Sequence, residues 1–136
     1  MILEIKRQFY ELIENLGYHI ADNINDLDEF PRLILRTSSH KREETLDMSI
    51  ENIILTLDIF STYSGEKEIL EIADNIAEHL KQMREENPQI IAIQQKTAQI
   101  LDDNGTGPIR KHGSIRYSFL LTSGLEEREE IENGYS

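Results

Sequence analysis

Apolar residues first recur at helical spacing. Ile2, Ile5, Phe9, Leu12, Ile13 and Leu16 fall on one stripe, and Gly17 follows where a left-handed residue commonly closes a helix. This predicts an amphipathic helix over residues 2–16. Tyr18 to Ala21 reads as a short extended piece, and 22–30 as a polar turn ended by Pro31. From Arg32 to Thr37 the period changes to two, with Leu33 and Leu35 on one face, which predicts a strand. Ser38 to Ser49 carries no apolar alternation and reads as a polar connection.

The strongest strand signal covers Ile50 to Thr62. Ile53, Leu55, Leu57 and Ile59 form one face, while Ile54, Thr56, Asp58 and Phe60 form a half-polar second face. Ser64 is a candidate cap for a helix over 65–84, whose wide apolar stripe runs from Ile69 through Ile72, Ile76 and Leu80 to Met83. Gln89 to Asp102 is strand-like, 103–108 is a loop, and Ser114 to Thr122 alternates clearly as the last strand. Two amphipathic helices and about four strands make a two-layer α+β domain over 1–124: a mainly antiparallel sheet with both helices packed on one face. Residues 125–136 form an acidic tail, expected to lack structure in the isolated subunit.

Composition narrows the possible functions. The chain has 136 residues and a formal net charge of −12; the tail carries −4 of this and leaves −8 on the body. Such a balance disfavours a general nucleic-acid binder or a protein held on an anionic membrane. Hydrophobic residues make up only 38%, so the core is small and self-association would add stability. With no cysteine, disulfide and thiolate chemistry are excluded. The N-terminal segment is interrupted by charges every few residues, unlike a signal peptide or membrane span.

Candidate chemistry is sparse. His19, His40, His79 and His112 share no metal-ligand spacing, and His79 is expected on the solvent side of its helix. Ser61, Ser64 and Ser114 lack a nucleophile-elbow context, and Gly105-Thr106-Gly107 lacks the Lys-Ser/Thr of a phosphate-binding loop. Asp58, with Glu51 upstream, could do acid–base work, but a half-polar face that meets a partner explains it more simply. No catalytic residue, metal ligand or cofactor is expected. Two basic clusters stand out in this acidic chain: Arg36, His40, Lys41 and Arg42, and Arg110, Lys111, His112 and Arg116. With Asp58 and Phe60 they form the candidate contact surface, through charge complementarity with a neighbouring copy.

The run Ile54-Leu55-Thr56-Leu57-Asp58-Ile59-Phe60-Ser61, then a polar turn and the helix Glu68 to Met83, resembles the hallmark of siphophage tail-terminator proteins, also called tail completion or tail-to-head joining proteins. The closing segment, Arg110 to Phe119, resembles the last strand of that family, and the likeness extends over roughly residues 2–122. The polar stretch Gln94 to Gln99 and the Glu-rich tail depart from it. The resemblance implies a non-enzymatic virion protein at the head-proximal end of the tail, assembled in the bacterial cytoplasm. It would form a homo-hexameric ring that caps the tail tube, stops its polymerisation and meets the head connector or stopper protein, with DNA passing through the lumen. Two other readings remain open from the residues: another head-completion or neck protein, or a small ligand-binding regulatory domain on a ferredoxin-like sheet.

Overall fold

The computed structural model describes residues 2–21 and 29–122. The polar turn expected over 22–30 falls mostly outside these residues, and the acidic tail falls wholly outside them. The elements run α1 (Ile2–Asn15), β1 (His19–Ala21), β2 (Arg32–Glu44), β3 (Ser49–Ser61), α2 (Lys67–Glu86), β4 (Ile90–Asp102) and β5 (Lys111–Thr122). The sheet order is β1-β2-β3-β5-β4. All pairings are antiparallel except β1 with β2, where His19–Ala21 runs parallel to Arg32–Ile34. The α+β class therefore holds, with five strands in a mixed sheet where about four were expected; the added strand is three residues long.

Alternation along β3 dictates the layering. Ile53, Leu55, Leu57 and Ile59 are fully buried, and register sets Phe119, Tyr117 and Ile115 beside the first three of them. Ile5, Phe9 and Ile13 of α1 and Ile69, Ile72 and Ile76 of α2 join the same core. Phe9 is wedged between Tyr117 and Phe119, with ring centroids at 5.0 and 5.5 Å, the second pair edge-on. Burying each such side chain stabilises the fold by roughly 1.5–3 kcal/mol. Tyr10 ties α1 to the sheet edge by donating its hydroxyl to the Ile20 carbonyl at 2.8 Å.

Two glycines matter to this packing. Gly17 adopts φ +92° at the end of α1, donating its N–H to the Glu14 carbonyl at 3.0 Å. This is the left-handed closure expected from the sequence. Gly113 lies under the start of α2, where an added Cβ would meet Ile69 Cγ2 at 2.6 Å. Ile69 is buried and β-branched, so it has little freedom to yield.

Two local expectations are corrected. Ser38 to Ser49 is the end of a long hairpin, not a loop: β2 continues to Glu44, and only residues 45–48 turn the chain. Thr45 closes that turn, its Oγ1 accepting N–H groups from Asp47 and Met48 at 3.3 and 3.1 Å. The arm is polar throughout and is held by its backbone ladder with β3. Ser64 does not cap α2. Glu66 holds the cap position with no side-chain bond, and the entry is anchored by Ser61 Oγ donating to Glu68 Oε1 at 2.7 Å.

Gly113→Ala should lower stability by about 1–3 kcal/mol through overpacking against Ile69, read as the midpoint of chemical unfolding. Tyr117→Phe should behave oppositely. The Tyr117 hydroxyl is buried and finds no hydrogen-bond partner among the described residues, and burial pushes its pKa up. Removing an unsatisfied hydroxyl should leave the midpoint unchanged or raise it by up to about 1–2 kcal/mol.

Candidate contact face of the sheet

Among the described residues, both helices cover one side of the sheet and leave the other open, and that side is organised in rungs across the strands. One rung runs Arg36, Thr56, Arg116, Thr97 through β2, β3, β5 and β4; the next links Ile34, Asp58, Ser114 and Gln99. Adjacent strands lie about 4.8 Å apart, so Arg36 and Arg116 flank Thr56 at roughly 10 Å from each other.

Asp58 is the electrostatic centre of this face. Only 7% of it is exposed, although it lies on the side away from the helices. Arg36 Nε donates to Oδ2 at 2.9 Å and His112 Nε2 to Oδ1 at 3.0 Å. A carboxylate only accepts, so the bonded His112 nitrogen carries the hydrogen. Burial alone would raise the Asp58 pKa, but the bonds from His112 and Arg36 outweigh it and hold the carboxyl below its usual range. The His112 ring in turn stacks on Phe60, with centroids 4.4 Å apart and planes 16° from parallel. Charge-assisted bonds and stacking together fix four side chains from three strands.

The acid–base reading of Asp58 meets two obstacles. Both of its oxygens are engaged, and a lowered pKa makes a weak base. Glu51, the candidate second carboxylate, is an odd number of residues away and so points to the helix side of the sheet. There it lies at the hairpin end, 3.8 Å from Arg42 Nε and 3.7 Å from His40 Nε2. The two carboxylates do not share a site.

Structure thus divides the two basic clusters by register and not by sequence. Arg36, Asp58, Phe60, His112 and Arg116 are gathered on the open face. Lys41 lies on that face further out, opposite Asn52. His40 and Arg42 point the other way, toward Glu51, and Arg42 also donates to Ser49 Oγ at 3.0 Å. Arg110 and Lys111 sit at the opposite end of the sheet: the Arg110 N–H bonds the Ser61 carbonyl at 2.8 Å, and Lys111 pairs with Asp102. Arg36 was expected in a strand and lies in one, whereas His40, Lys41 and Arg42 were expected in a connection and instead continue that strand.

Several members of the open face were not among the contact residues expected from sequence. Ser118 donates to Asn52 Oδ1 at 2.8 Å, Ser38 and Thr56 share a short hydroxyl bond, and Ser114, Thr97 and Gln99 line a cleft beside Arg116. In sequence Ser38 reads as part of a connection and the others as ordinary strand residues; only strand pairing brings them together. On the helix side, a groove of ≈ 710 Å³ between α2 and β4 is lined by Leu80, Ile90, Ile93 and the Tyr117 ring, among others. None of the sequence-predicted site residues borders it. His79, expected in solvent, is half-buried, with Nδ1 2.8 Å from the Asn75 carbonyl. No group of three or more potential metal ligands occurs among the described residues, and no described helix is long and apolar enough to cross a membrane.

The architecture is that of a small two-layer α+β subunit with a rigid, charged, open sheet face. A model of the family described as tail completion protein gp17 matches residues 11–122, and the chain belongs to this family of structural phage tail completion proteins. No curated protein matches the chain. The matched segment includes the last turns of α1, the whole sheet and α2, so it contains every residue of the open face.

Asp58→Asn should lower stability at neutral pH by about 1–2 kcal/mol, because Arg36 and His112 lose a charged acceptor. The folded Asp58 pKa lies below the unfolded value, so this contribution is fully present above the unfolded pKa near ~4 and is lost as pH falls through the folded pKa. The gap between the unfolding midpoints of the two proteins, measured from pH 7 down to pH 3, should therefore narrow as pH falls below the unfolded pKa; a constant gap would contradict the assignment.

Proposed function

We propose that this protein completes the phage tail by capping the end of the tail tube. Copies of the chain close into a ring, six in number by resemblance to tail terminators, and the ring stops tube growth and offers its other side to the head connector. The protein acts through shape and charge complementarity and not through catalysis. DNA crosses the lumen without specific recognition. In the virion it occupies the head-proximal end of the tail.

The observation that carries this reading is the family match across residues 11–122, which takes in the entire sheet and α2. The geometry supports it in a specific way. An assembly subunit needs a surface whose shape is set before the partner arrives, since groups ordered only on binding reduce affinity. Bonds to Asp58 and the Phe60–His112 stack already order the open face in the single subunit. A ring built by repeating one head-to-tail contact also needs two different patches on each copy. Opposite layers of different charge are suited to that requirement.

The test uses purified tail tubes. Added protein should appear by electron microscopy as a ring with a central hole at one end of each tube, and tube lengthening should stop. Tubes that keep growing, with the protein bound only to connector components, would overturn the capping reading and favour a neck protein.

A further inference from the structure

Within the open face, one cleft has a single chemical character. It measures ≈ 220 Å³ and is lined by Arg36, Thr56, Thr97, Gln99, Ser114 and Arg116. Each of these six side chains carries an N–H or O–H donor, and none is a carboxylate. In a chain with a net charge of −12, a cleft free of carboxylates and flanked by two guanidinium groups is a feature to be explained. Arg36 uses its Nε for Asp58. Arg116 has no hydrogen-bond or ion-pair partner among the described residues, and it is exposed. The cleft is thus an oxyanion seat with one free guanidinium.

The opposite layer carries the complementary feature. On α2, Glu71, Asp74 and Glu78 follow at spacings of three and four, all exposed, on the side away from the buried Ile72, Ile76 and Leu80. Like charges at these spacings repel on an isolated helix. Glu71 has Lys67 at 3.8 Å, while Asp74 and Glu78 have no cationic partner among the described residues. These unmatched charges of opposite sign, Arg116 on one layer and Asp74 and Glu78 on the other, cannot meet within one subunit and can meet between copies.

We propose that the Arg36–Arg116 cleft of one copy receives the carboxylates of Asp74 and Glu78 on α2 of a second copy. This names the contact behind the ring and rests on that reading. Nucleic acid fits the cleft less well. Two guanidinium groups within roughly 10 Å can hold one or two oxyanions, whereas duplex binding engages about six to ten phosphates. A side chain from α2 also supplies the heterologous patch that an isologous pairing of two open faces would not.

The test is a charge swap on full-length protein, read as the subunit concentration needed to form rings on tube ends. Arg116→Glu should raise that concentration at least about tenfold, equivalent to ~1.4 kcal/mol. Asp74→Arg with Glu78→Arg should do the same. Combining all three substitutions should return it to within about threefold of the native protein, a rescue that a merely structural defect would not give. Arg116→Gln provides a milder check should the reversal disturb folding, with a smaller loss in the same direction. Native-like assembly by Arg116→Glu, or damage on both faces without rescue, overturns this contact while leaving the ring intact. If Arg116→Glu caps tubes normally yet loses retention on DNA, the seat belongs to phosphate and the proposal is wrong. A native protein that never self-associates, even on tube ends, defeats both the contact and the ring.

Discussion

Four side chains on β3 must leave water together: Ile53, Leu55, Leu57 and Ile59. They share one face of a strand, so a single layer of helices can cover them, and α1 and α2 do so. The same alternation sends Thr56, Asp58 and Phe60 to the other side, which neither of the two described helices covers. The open face is therefore the necessary complement of the core. A one-residue slip in register would exchange the two, placing Asp58 in the apolar layer and four aliphatic residues in solvent. Phe9 locks this choice by seating α1 on Tyr117 and Phe119, and the close approach of Ile69 to Gly113 does so for α2.

Given that constraint, the open face still has to keep a carboxylate at a position only 7% exposed. It does so by crowding and not by apolar cover. Arg36 and His112 reach Asp58 diagonally from the strands on either side, and Phe60 supports the imidazole. These bonds offset the desolvation of the carboxylate and make the face stiff. Stiffness is useful to a surface that meets a partner, because little side-chain freedom remains to be lost on contact.

Much of this was legible in the amino-acid sequence, for physical reasons. The helices and the inner faces of β3 and β5 carry periods of 3.6 and two, and burial enforces both. The family resemblance rested on the same stretches, and the match over residues 11–122 bears it out. What escaped notice lies where burial imposes no pattern. The hairpin arm, Ser38 to Glu44, looks like a loop because every residue in it is polar, yet it is held by pairing with β3. β1 was read only as a short extended piece over Tyr18 to Ala21; its parallel pairing with β2, which depends on the edge that β2 offers, was not foreseen. Arg36 and Arg116 could be singled out as basic residues in an acidic chain, but their place on one rung depends on strand order, with β5 inserted between β3 and β4. His40 and Arg42 were grouped with them by sequence proximity, and the alternation of the strand turned them to the opposite side.

The central claim is that the side of the sheet left bare by folding is the side used in assembly. Hydroxyl-radical footprinting of the free protein and of the same protein assembled on tail tubes tests this most directly, because Phe60 and His112 are half-buried aromatic reporters on that face, near one end of the two central strands. The account predicts that both lose reactivity on assembly. Unchanged reactivity of Phe60 and His112 in tubes that are fully capped would contradict it.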